Sequence, residues 1–558
     1  MKLQVEPIIK DDYSGGVLRN VSPYKMPPEA VPHAVNFDFD ENVGEAVLRK
    51  GTTIIGSQIV ASKPILGLAN LRRRADGSHA ILAVVSDGAN NDIYAGEAWA
   101  KVTGWTDDTK DLKTRFVQFL DSIVRLNGTD ASESYDGTTV ITTGGVFDLA
   151  NMPTKKYGIN YKDRIHLIDD DGVLYSSSVP MFQLDYDDQT VTFNKGARVT
   201  GGTSGATGII YNDADAGATG TLYLIGVTGT FQNNETITDD GSTPGSATAN
   251  GVGDWRINWR KESIDGAKDY ITTPIDPDNG QKGKCTGVGK VGGLMLIFFE
   301  RAMYTWNAKA IEPDEIVGIG CSSFESIAVD GENGLLFFAN EHGVYVTKGG
   351  FPQKISRFVQ DYFDNMSSDN YQHIAGGTDG RHYLCSIGDI TINNKTIENV
   401  VLRYTINSQE WAVRSYPSMP RVFSQYIDGT EVKLLYGDDN GQVFQLDSSA
   451  ADDNGTPIAY ELDTEDFFQP LKGMKKTIKD RIVVHSLASS GAKLLMRADS
   501  DNEADWKAIG EIKEEAQEFK NIPIVAFKKA RFRIAGRSAK GRLRVQAIEI
   551  PNIELTGY

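Results

Sequence analysis

The sequence predicts an all-β protein: a β-propeller of six or seven blades with a small inserted β module and a C-terminal β-sandwich. Short apolar runs meet Asp/Asn/Gly turns, and each is followed by a second strand with an aromatic near its start. The 57 glycines cluster with Asp, Asn, Ser and Thr, as many tight turns require. The recurring aromatics are Tyr94, Tyr135, Tyr175, Tyr304, Tyr345, Tyr404 and Phe444.

The spacing of these seven aromatics is the repeat signal. Successive spacings are 41, 40, 129, 41, 59 and 40 residues, so four of the six are 40 or 41. A fixed period of about 40 residues in an all-β sequence is typical of four-stranded propeller blades, which bury their faces only against neighbouring blades. Because the repeat is degenerate, a generic β-rich chain with common turns remains the alternative.

A chain of 558 residues exceeds what one hydrophobic core usually serves, so several domains are expected. We divide it into an N-terminal hairpin or arm at 1–60, the first part of the propeller at 61–190, an inserted Gly/Thr-rich β module at 191–254, the second part of the propeller at 255–450 and a basic β-sandwich at 451–558.

The N-terminal arm does not have the pattern of a blade. Four prolines between residues 23 and 32 preclude a long helix. Polar and apolar residues alternate over 34–39 and the apolar pattern resumes at 46–48, which predicts a hairpin with its turn at 41–44.

The segment 191–254 differs from the blades in composition, since it is rich in Gly, Thr and Ala. Apolar runs predict strands at 208–211, 221–227 and 235–237. We interpret it as a small β module looped out between blades, which accounts for the spacing of 129 residues. A low-complexity linker is the alternative.

The repeat continues after the insertion and stops near residue 450. The spacing of 59 residues contains an extended hairpin with Asn393-Asn394 as its turn. Beyond residue 456, largely alternating polar and apolar residues predict a sandwich of one-sided strands. These strands are expected at 458–462, 479–485, 493–497, 525–534 and 541–550.

The charge of the chain is unevenly distributed. The formal net charge is −18, yet the segment 472–544 holds 18 Lys/Arg against nine Asp/Glu, so the rest of the chain carries −27. An acidic body argues against tight binding to the nucleic-acid backbone, because that affinity comes from cations that displace counterions. It does not exclude a surface past which DNA slides.

No catalytic, cofactor-binding or metal-binding residues are predicted, and no cofactor is expected. The three cysteines Cys285, Cys321 and Cys385 lack the spacing of a zinc site or a disulfide framework. The seven histidines show no HxH or HExxH spacing, and His166 alternates with apolar neighbours as a blade residue would.

Two glycine-rich stretches superficially suggest ligand loops. The stretch 287–291 (GVGKV) lacks the spacing of a phosphate loop and is flanked by strands on both sides. The stretches 276–280 and 437–441 lack the distal Glu of a calcium loop, so turn chemistry explains them more simply. The repeated Asp boxes of sialidase blades are absent, although converging carboxylates of a glycosidase are spatial and escape sequence reasoning.

The arm carries residues that resemble a known family. They are Gly15-Gly16, Ser22-Pro23, Pro27-Pro28-Glu29-Ala30, Ala34-Val35-Asn36-Phe37-Asp38 and Leu48-Arg49-Lys50-Gly51. This pattern resembles the opening of tail-nozzle or tail-tubular proteins, which stabilise packaged DNA in short-tailed bacteriophages. The insertion is also similar to modules common in phage structural proteins. The resemblance carries no catalytic residue to transfer.

The resemblance implies a non-enzymatic virion protein of the phage tail. Its expected partners are further copies of itself in a ring, a hexamer in that family, the head-to-tail adaptor or portal complex, and tail fibres or spikes. Double-stranded DNA would pass through the ring without sequence-specific binding. With no apolar signal core and no run long enough to span a membrane, we expect synthesis in the host cytoplasm and incorporation into the virion.

Two other functions remain open at this stage. One is a β-propeller that binds or cleaves carbohydrate on the host surface, which would need converging carboxylates. The other is a propeller scaffold in a cellular assembly. The sequence does not decide the blade number, the gating loops, the tail layer or the role of the insertion.

Overall fold

Four-stranded antiparallel sheets account for most of the chain, because short strands separated by Asp/Asn/Gly turns form meanders. Seven such sheets form the blades of a propeller in the described part of the chain, so the predicted all-β propeller is confirmed, with seven blades. The computed structural model describes residues 3–22, 25–74, 76–106, 108–259, 271–275, 281–308, 313–428, 431–467, 474–487, 491–524, 526–538 and 541–556.

Each blade runs from an inner first strand to an outer last strand. In blade 1 the strands are Ile65–Arg72, His79–Ser86, Asn90–Ala95 and Ala100–Lys101, with Asp108–Thr109 added to the third; in blade 2, Arg115–Phe119, Ser122–Leu126, Ser134–Tyr135 and Val140–Ile141; in blade 3, Tyr157–Tyr161, Arg164–Ile168, Val173–Ser176 and Ile271–Pro274; in blade 4, Cys285–Val291, Leu294–Phe299, Met303–Trp306 and Asp314–Val317.

The remaining blades follow the same order, except that blade 7 borrows its outer strand from the N-terminal arm. In blade 5 the strands are Ala328–Asp330, Leu335–Asn340, Gly343–Thr347 and Gln353–Lys354; in blade 6, Ala375–Thr378, His382–Ile392, Lys395–Thr405 and Trp411–Ser415; in blade 7, Pro420–Asp428, Glu431–Asp438, Val443–Gln445 and Thr53–Ile54.

The seven aromatics that set the sequence period all lie on the third strand of a blade. Tyr94 lies in Asn90–Ala95 of blade 1, for example, and Phe444 lies in Val443–Gln445 of blade 7. A third strand is flanked on both sides within its blade, so its residues pack at equivalent depth in every repeat. The repeat signal was therefore structural.

The ring closes through the arm. The inner strands of successive blades pack against one another, and that of blade 7 packs against that of blade 1. On the outer edge of blade 7, Ile54 pairs with Phe444 and Thr53 with Gln445. Joining residues from the two ends of the propeller in one sheet removes an open edge and holds the ring shut.

The insertion is a closed barrel. Six strands form a ring of pairings, and Asp254–Arg256 adds to the start of the first strand. The strands are Met181–Val191, Arg198–Gly201, Thr207–Asp215, Gly220–Thr228, Thr236–Asp239 and Ser246–Ala249. The barrel leaves from blade 3 after its third strand and returns to its fourth. The expected position between blades was wrong, because an outer strand carries no aromatic marker.

The barrel contains an internal duplication that its sequence only hints at. Leu184 pairs with Leu222 and Thr200 pairs with Thr238, and each pair joins residues 38 apart. Phe193 and Phe231, also 38 apart, are both buried in the barrel core. Residues that pair with their own equivalents lie on a two-fold axis, so the two three-stranded halves are related by pseudo-symmetry.

The C-terminal sandwich contains strands from both ends of the chain. The predicted hairpin of the arm forms, with Phe37 opposite Leu48, but it lies inside a sheet of the sandwich. The sheets contain Leu3–Val5, Ile553–Thr556, Lys475–Ile478 and Ala526–Phe527; Ala516–Phe519, Ile482–Leu487, Arg544–Ile550, Ala46–Leu48, Phe37–Asp38 and Ile8–Lys10; and Lys507–Ile512, Ala492–Ala498, Ala530–Arg537, Ala459–Asp463 and His33–Val35.

The largest hydrophobic core joins the arm, blades 5 and 6, and the sandwich. It includes Phe37 of the arm, Tyr383 and Trp411 of blade 6, and Phe532 of the sandwich. The remaining elements are the parallel pair Gly16–Val17 and Ala30–Val31, the α-helix Gln360–Asp364, and the 3-10 helices Phe324–Ser326, Ser356–Val359, Ser368–His373 and Glu503–Asp505.

Candidate functional site

The arm residues that carry the sequence resemblance form a buried polar lock. Arg49 is fully buried; its Nη1 donates to Asp453 Oδ1 at 2.8 Å and its Nη2 to Asp453 Oδ2 at 2.5 Å. Its guanidinium also lies 4.4 Å from the ring centroid of Tyr416. Burial alone would lower the pKa of Arg49, but the hydrogen bonds to Asp453 raise it above its usual value, so the side chain stays charged.

Asn36 connects three parts of the chain. Its Oδ1 accepts from Arg49 Nε and from the backbone N–H of Ser415, both at 2.8 Å, and its Nδ2 donates to the carbonyl of Ala459 at 2.7 Å. Its φ is 66°, a region that Asn tolerates better than most residues. One amide side chain thus joins the arm, the outer strand of blade 6 and the sandwich.

Two carboxylates of the arm extend the lock into blade 6. Arg414 donates to Asp38 through Nε at 3.1 Å and Nη2 at 2.9 Å, and Arg403 donates to Asp40 through Nη1 at 2.8 Å and Nη2 at 3.0 Å. His382 Nε2 lies 2.8 Å from Asp40 Oδ2. Burial would raise the pKa of Asp38, but the charges of Arg403 and Arg414 outweigh it and hold it below the usual value.

Two glycines of the family-like pattern allow the arm to approach its neighbours. A Cβ on Gly51 would lie 1.8 Å from the carbonyl oxygen of Asp452, so no side chain fits. Gly16 has a φ of 62°, and a Cβ there would lie 2.8 Å from the carbonyl oxygen of Trp411. These contacts explain why glycine occupies both positions.

A second candidate is the cavity at the centre of the propeller. It has a volume of about 490 Å³ and lies between the inner strands of blades 1, 2, 5, 6 and 7. A smaller space of about 140 Å³ adjoins it and reaches Arg115 and Glu325. Volumes of this order suit small ligands or single side chains.

An ion cluster lies at one end of this cavity, where inner strands begin. Glu325 accepts from Arg115 Nη2 at 2.9 Å and from Lys113 Nζ at 2.8 Å, and Lys113 Nζ also donates to the carbonyl of Gln372 at 2.7 Å. Burial would raise the pKa of Glu325, but the charges of Lys113 and Arg115 hold it far below the usual value. The cluster joins blades 2, 5 and 6 across the cavity.

A third candidate is a charged cleft of about 320 Å³ between the arm, the hairpin of blade 6 and the sandwich. Asp463 accepts from Arg533 Nε at 2.6 Å, and Asp466 from Arg531 Nε at 3.0 Å. Glu465 lies 3.4 Å from Lys10 Nζ, and burial raises the pKa of Glu465. Each of these carboxylates has a cationic partner.

The remaining sequence features lie in structural positions. Residues 287–291 belong to the inner strand of blade 4, and 276–280 lie outside the described residues. Asp438 Oδ1 accepts from the N–H groups of Asn440 and Gln442, as a turn residue does. His166 is buried, with Nδ1 2.7 Å from Ser176 Oγ. The three cysteines are buried and free.

Sequence reasoning named no site residues, and the lock was missed for a definable reason. Its arginines and carboxylates are far apart in sequence, so only a sense of burial could have linked them. No cluster of three or more possible metal ligands occurs in the residues that the structure describes. None of the helices seen in those residues has the length and hydropathy to cross a membrane.

Comparisons with known proteins reach only the fold. No protein-family model matches the chain, and no curated protein matches it. A solved structure of YCF48 bound to D1 peptide is 8% identical, with a TM-score of 0.32, and the match covers 71% of this chain and 97% of that one. YCF48 from Cyanidioschyzon merolae is 10% identical, with a TM-score of 0.34 and coverage of 70% and 98%.

Proposed function

We propose that the chain is a structural subunit of the tail nozzle of a short-tailed bacteriophage. In this role it forms a ring, a hexamer by resemblance, that continues the DNA channel below the head-to-tail adaptor, retains packaged DNA and docks fibres or spikes. The observation that carries the proposal is the role of the family-like residues: Asn36, Asp38, Arg49 and Gly51 build the lock between the propeller and the sandwich.

The lock suits a protein that works by its shape. Charge-assisted hydrogen bonds at Asp38, Asp40 and Arg49 fix the arm between two domains. The arm also supplies the outer strand of blade 7, Thr53–Ile54. Displacing the sandwich would therefore strain the closure of the propeller, which couples the domains mechanically.

In this proposal DNA passes between subunits and not through a propeller. The central cavity holds about 490 Å³ and is lined by Phe116, Phe423 and Leu434. A double helix, whose major groove alone is about 12 Å wide, does not fit in such a space. The acidic charge outside the sandwich would repel phosphate from the channel wall, so that DNA is not trapped during ejection.

The charge distribution also supports assembly with neighbours. The segment 472–544 of the sandwich carries an excess of nine positive charges, while the barrel at 181–256 holds nine Asp/Glu against three Lys/Arg. Opposite charges on separate domains favour oriented association between subunits or with an acidic adaptor surface. A salt-sensitive assembly rate is the expected consequence.

The test is a location experiment in an infectious particle. A peptide tag inserted in the barrel turn at Ala216-Gly217, which lies beyond the paired strand ends, should label the tail in negative-stain images. Mass spectrometry of purified particles should detect the chain at a copy number that fits a ring. Purified particles that lack the chain, or label confined to the head, would contradict the proposal.

The carbohydrate-active alternative depends on the charged cleft. Glu465 has a raised pKa and lines the cleft beside Asp463 and Asp466, an arrangement that could supply a general acid. Release of reducing ends from host polysaccharide, lost in Glu465→Gln but kept in the exposed control Glu398→Gln, would favour this function over the structural one.

A further inference from the structure

We propose that the central cavity of the propeller binds an organic anion, with its carboxylate or phosphate at the Arg421 end and its apolar body between the inner strands. The inference is independent of the proposed tail function. It rests on the lining of the cavity, on the excess of cations at one end, and on buried polar atoms that have no partner in the described part of the chain.

The lining provides an apolar body with a few polar groups. Leu68, Phe116, Ile327 and Phe423 face the larger cavity and also line the smaller space next to Arg115 and Glu325, so the two spaces adjoin. At the opposite end Gln425 Nε2 is already used, since it donates to the carbonyl of Thr378 at 2.8 Å. A lining of this kind, apolar with few polar groups, is typical of small-molecule sites.

The cationic end consists of Lys113, Arg115, Glu325, His373 and Arg421. Three permanent cations share a single carboxylate there. Arg421 is placed at this end because it lies two residues before Phe423, on the same side of the blade 7 inner strand. Burial, followed by the charges of Arg421 and Lys113, lowers the pKa of His373 to about 4, which reports the positive potential of this end.

Four buried atoms of this region have no hydrogen-bond partner among the described residues. They are Nε and Nη1 of Arg421, Nε of Arg115, and Oδ1 of Asn70, a residue that lines the larger cavity. Glu325 is fully used by Lys113, Arg115 and Ser323, so it does not complete the arginines. Buried guanidinium donors normally find partners, and a bidentate oxyanion matches two such N–H groups.

The excess of cations selects an anion over a neutral or cationic ligand. Placing a second carboxylate or a phosphate at Arg421 would balance three cations with two acids and satisfy two donors at once. The volume of about 490 Å³ leaves room for an apolar group of ring size behind it. The source of the anion, a small molecule with a carboxylate or one with a phosphate, is decided by the probes.

Isothermal titration of the full chain with 4-phenylbutyrate and with phenyl phosphate tests the proposal. At least one probe should bind with one site per chain, and the tighter one identifies the anionic group. The neutral 4-phenylbutan-1-ol should bind about tenfold more weakly or worse, as should either probe to Arg421→Gln, because a charged hydrogen bond is lost. The matched control Arg381→Gln, at an exposed turn, should bind like the unchanged chain.

Three results would overturn the proposal: no heat with either probe, equal binding of the neutral alcohol, or binding by Arg421→Gln at unchanged affinity. Inorganic phosphate binding as tightly as phenyl phosphate would remove the role of the apolar cavity. If Arg421→Gln does not fold, Ala69→Leu provides the test, since it fills the larger cavity and should abolish binding while leaving the cations in place.

Discussion

Arg49 and Asp453 form a buried, two-point ion pair across 404 residues of chain, with Nη1 2.8 Å from Oδ1. Arg49 belongs to the arm, and Asp453 to the segment that leaves the propeller for the sandwich. Thr52 next to it also donates its hydroxyl to Asp453 Oδ1 at 3.2 Å. The two ends of the propeller are therefore held together by ionic contacts as well as by the shared sheet of blade 7.

Removing one partner of this pair should strongly destabilise the fold. Arg49→Met leaves the Asp453 carboxylate buried without its cation, which typically costs about 3–5 kcal/mol. We expect a lower midpoint in urea unfolding followed by tryptophan fluorescence, since Trp411 is buried nearby in the same core. Arg381→Met, at an exposed turn, is the control and should leave the midpoint unchanged.

The double variant Arg49→Met/Asp453→Leu separates a charge effect from a packing effect. Because it leaves no unpaired buried charge, it should recover part of the stability lost in Arg49→Met. A double variant that is no more stable than Arg49→Met would contradict the assignment of the loss to an uncompensated carboxylate.

Gly51→Ala should prevent the arm from seating. The added Cβ would meet the Asp452 carbonyl oxygen at 1.8 Å, and backbone on both sides cannot yield as a flexible side chain would. We expect faster proteolysis of the arm, measured by limited digestion and mass spectrometry. Gly331→Ala is the matched control, because a Cβ there meets nothing within 4 Å. Equal digestion rates for the two variants would refute this explanation of Gly51.

Stability should fall in acid through Glu461. Burial would raise its pKa, but His33, Arg533 and Lys395 hold the pKa of Glu461 at about 2, below its usual 4.5. A carboxyl with a lowered folded-state pKa stabilises above 4.5, and that contribution is lost as the pH falls towards 2. Thermal unfolding between these pH values should be less pH-dependent in Glu461→Gln than in Glu398→Gln; indistinguishable profiles would exclude Glu461.

The barrel should fold on its own and be removable. Its ends are adjacent, since Met181 pairs with Arg256, and its core of residues such as Leu184, Leu222 and Phe231 is separate from those of the blades. Replacing 181–256 by a short Gly/Ser linker should leave the propeller folded, and the isolated segment should show dispersed amide NMR signals. Aggregation of the excised propeller would indicate that the barrel supports blade 3.

The sequence by itself determined the repeat. Turn residues and apolar runs are local signals, so the period of about 40 residues predicted the propeller, and the markers from Tyr94 to Phe444 fall on equivalent strands. The two-residue turn at Asn393-Asn394 was equally readable, because both residues adopt the positive φ, 54° and 62°, that such hairpins need. The inserted β module and the C-terminal sandwich were recognisable by composition and alternation.

Only the tertiary structure decided how the ends of the chain are used. The arm was expected as a separate hairpin, yet its strands enter the sandwich and Thr53–Ile54 completes blade 7. Partners such as Arg49 and Asp453, or Arg115 and Glu325, are joined by packing across hundreds of residues, and no local pattern encodes such distances. Burial and long-range pairing are properties of the whole folded chain, which is why the lock and the cationic end of the cavity could not be predicted from the sequence.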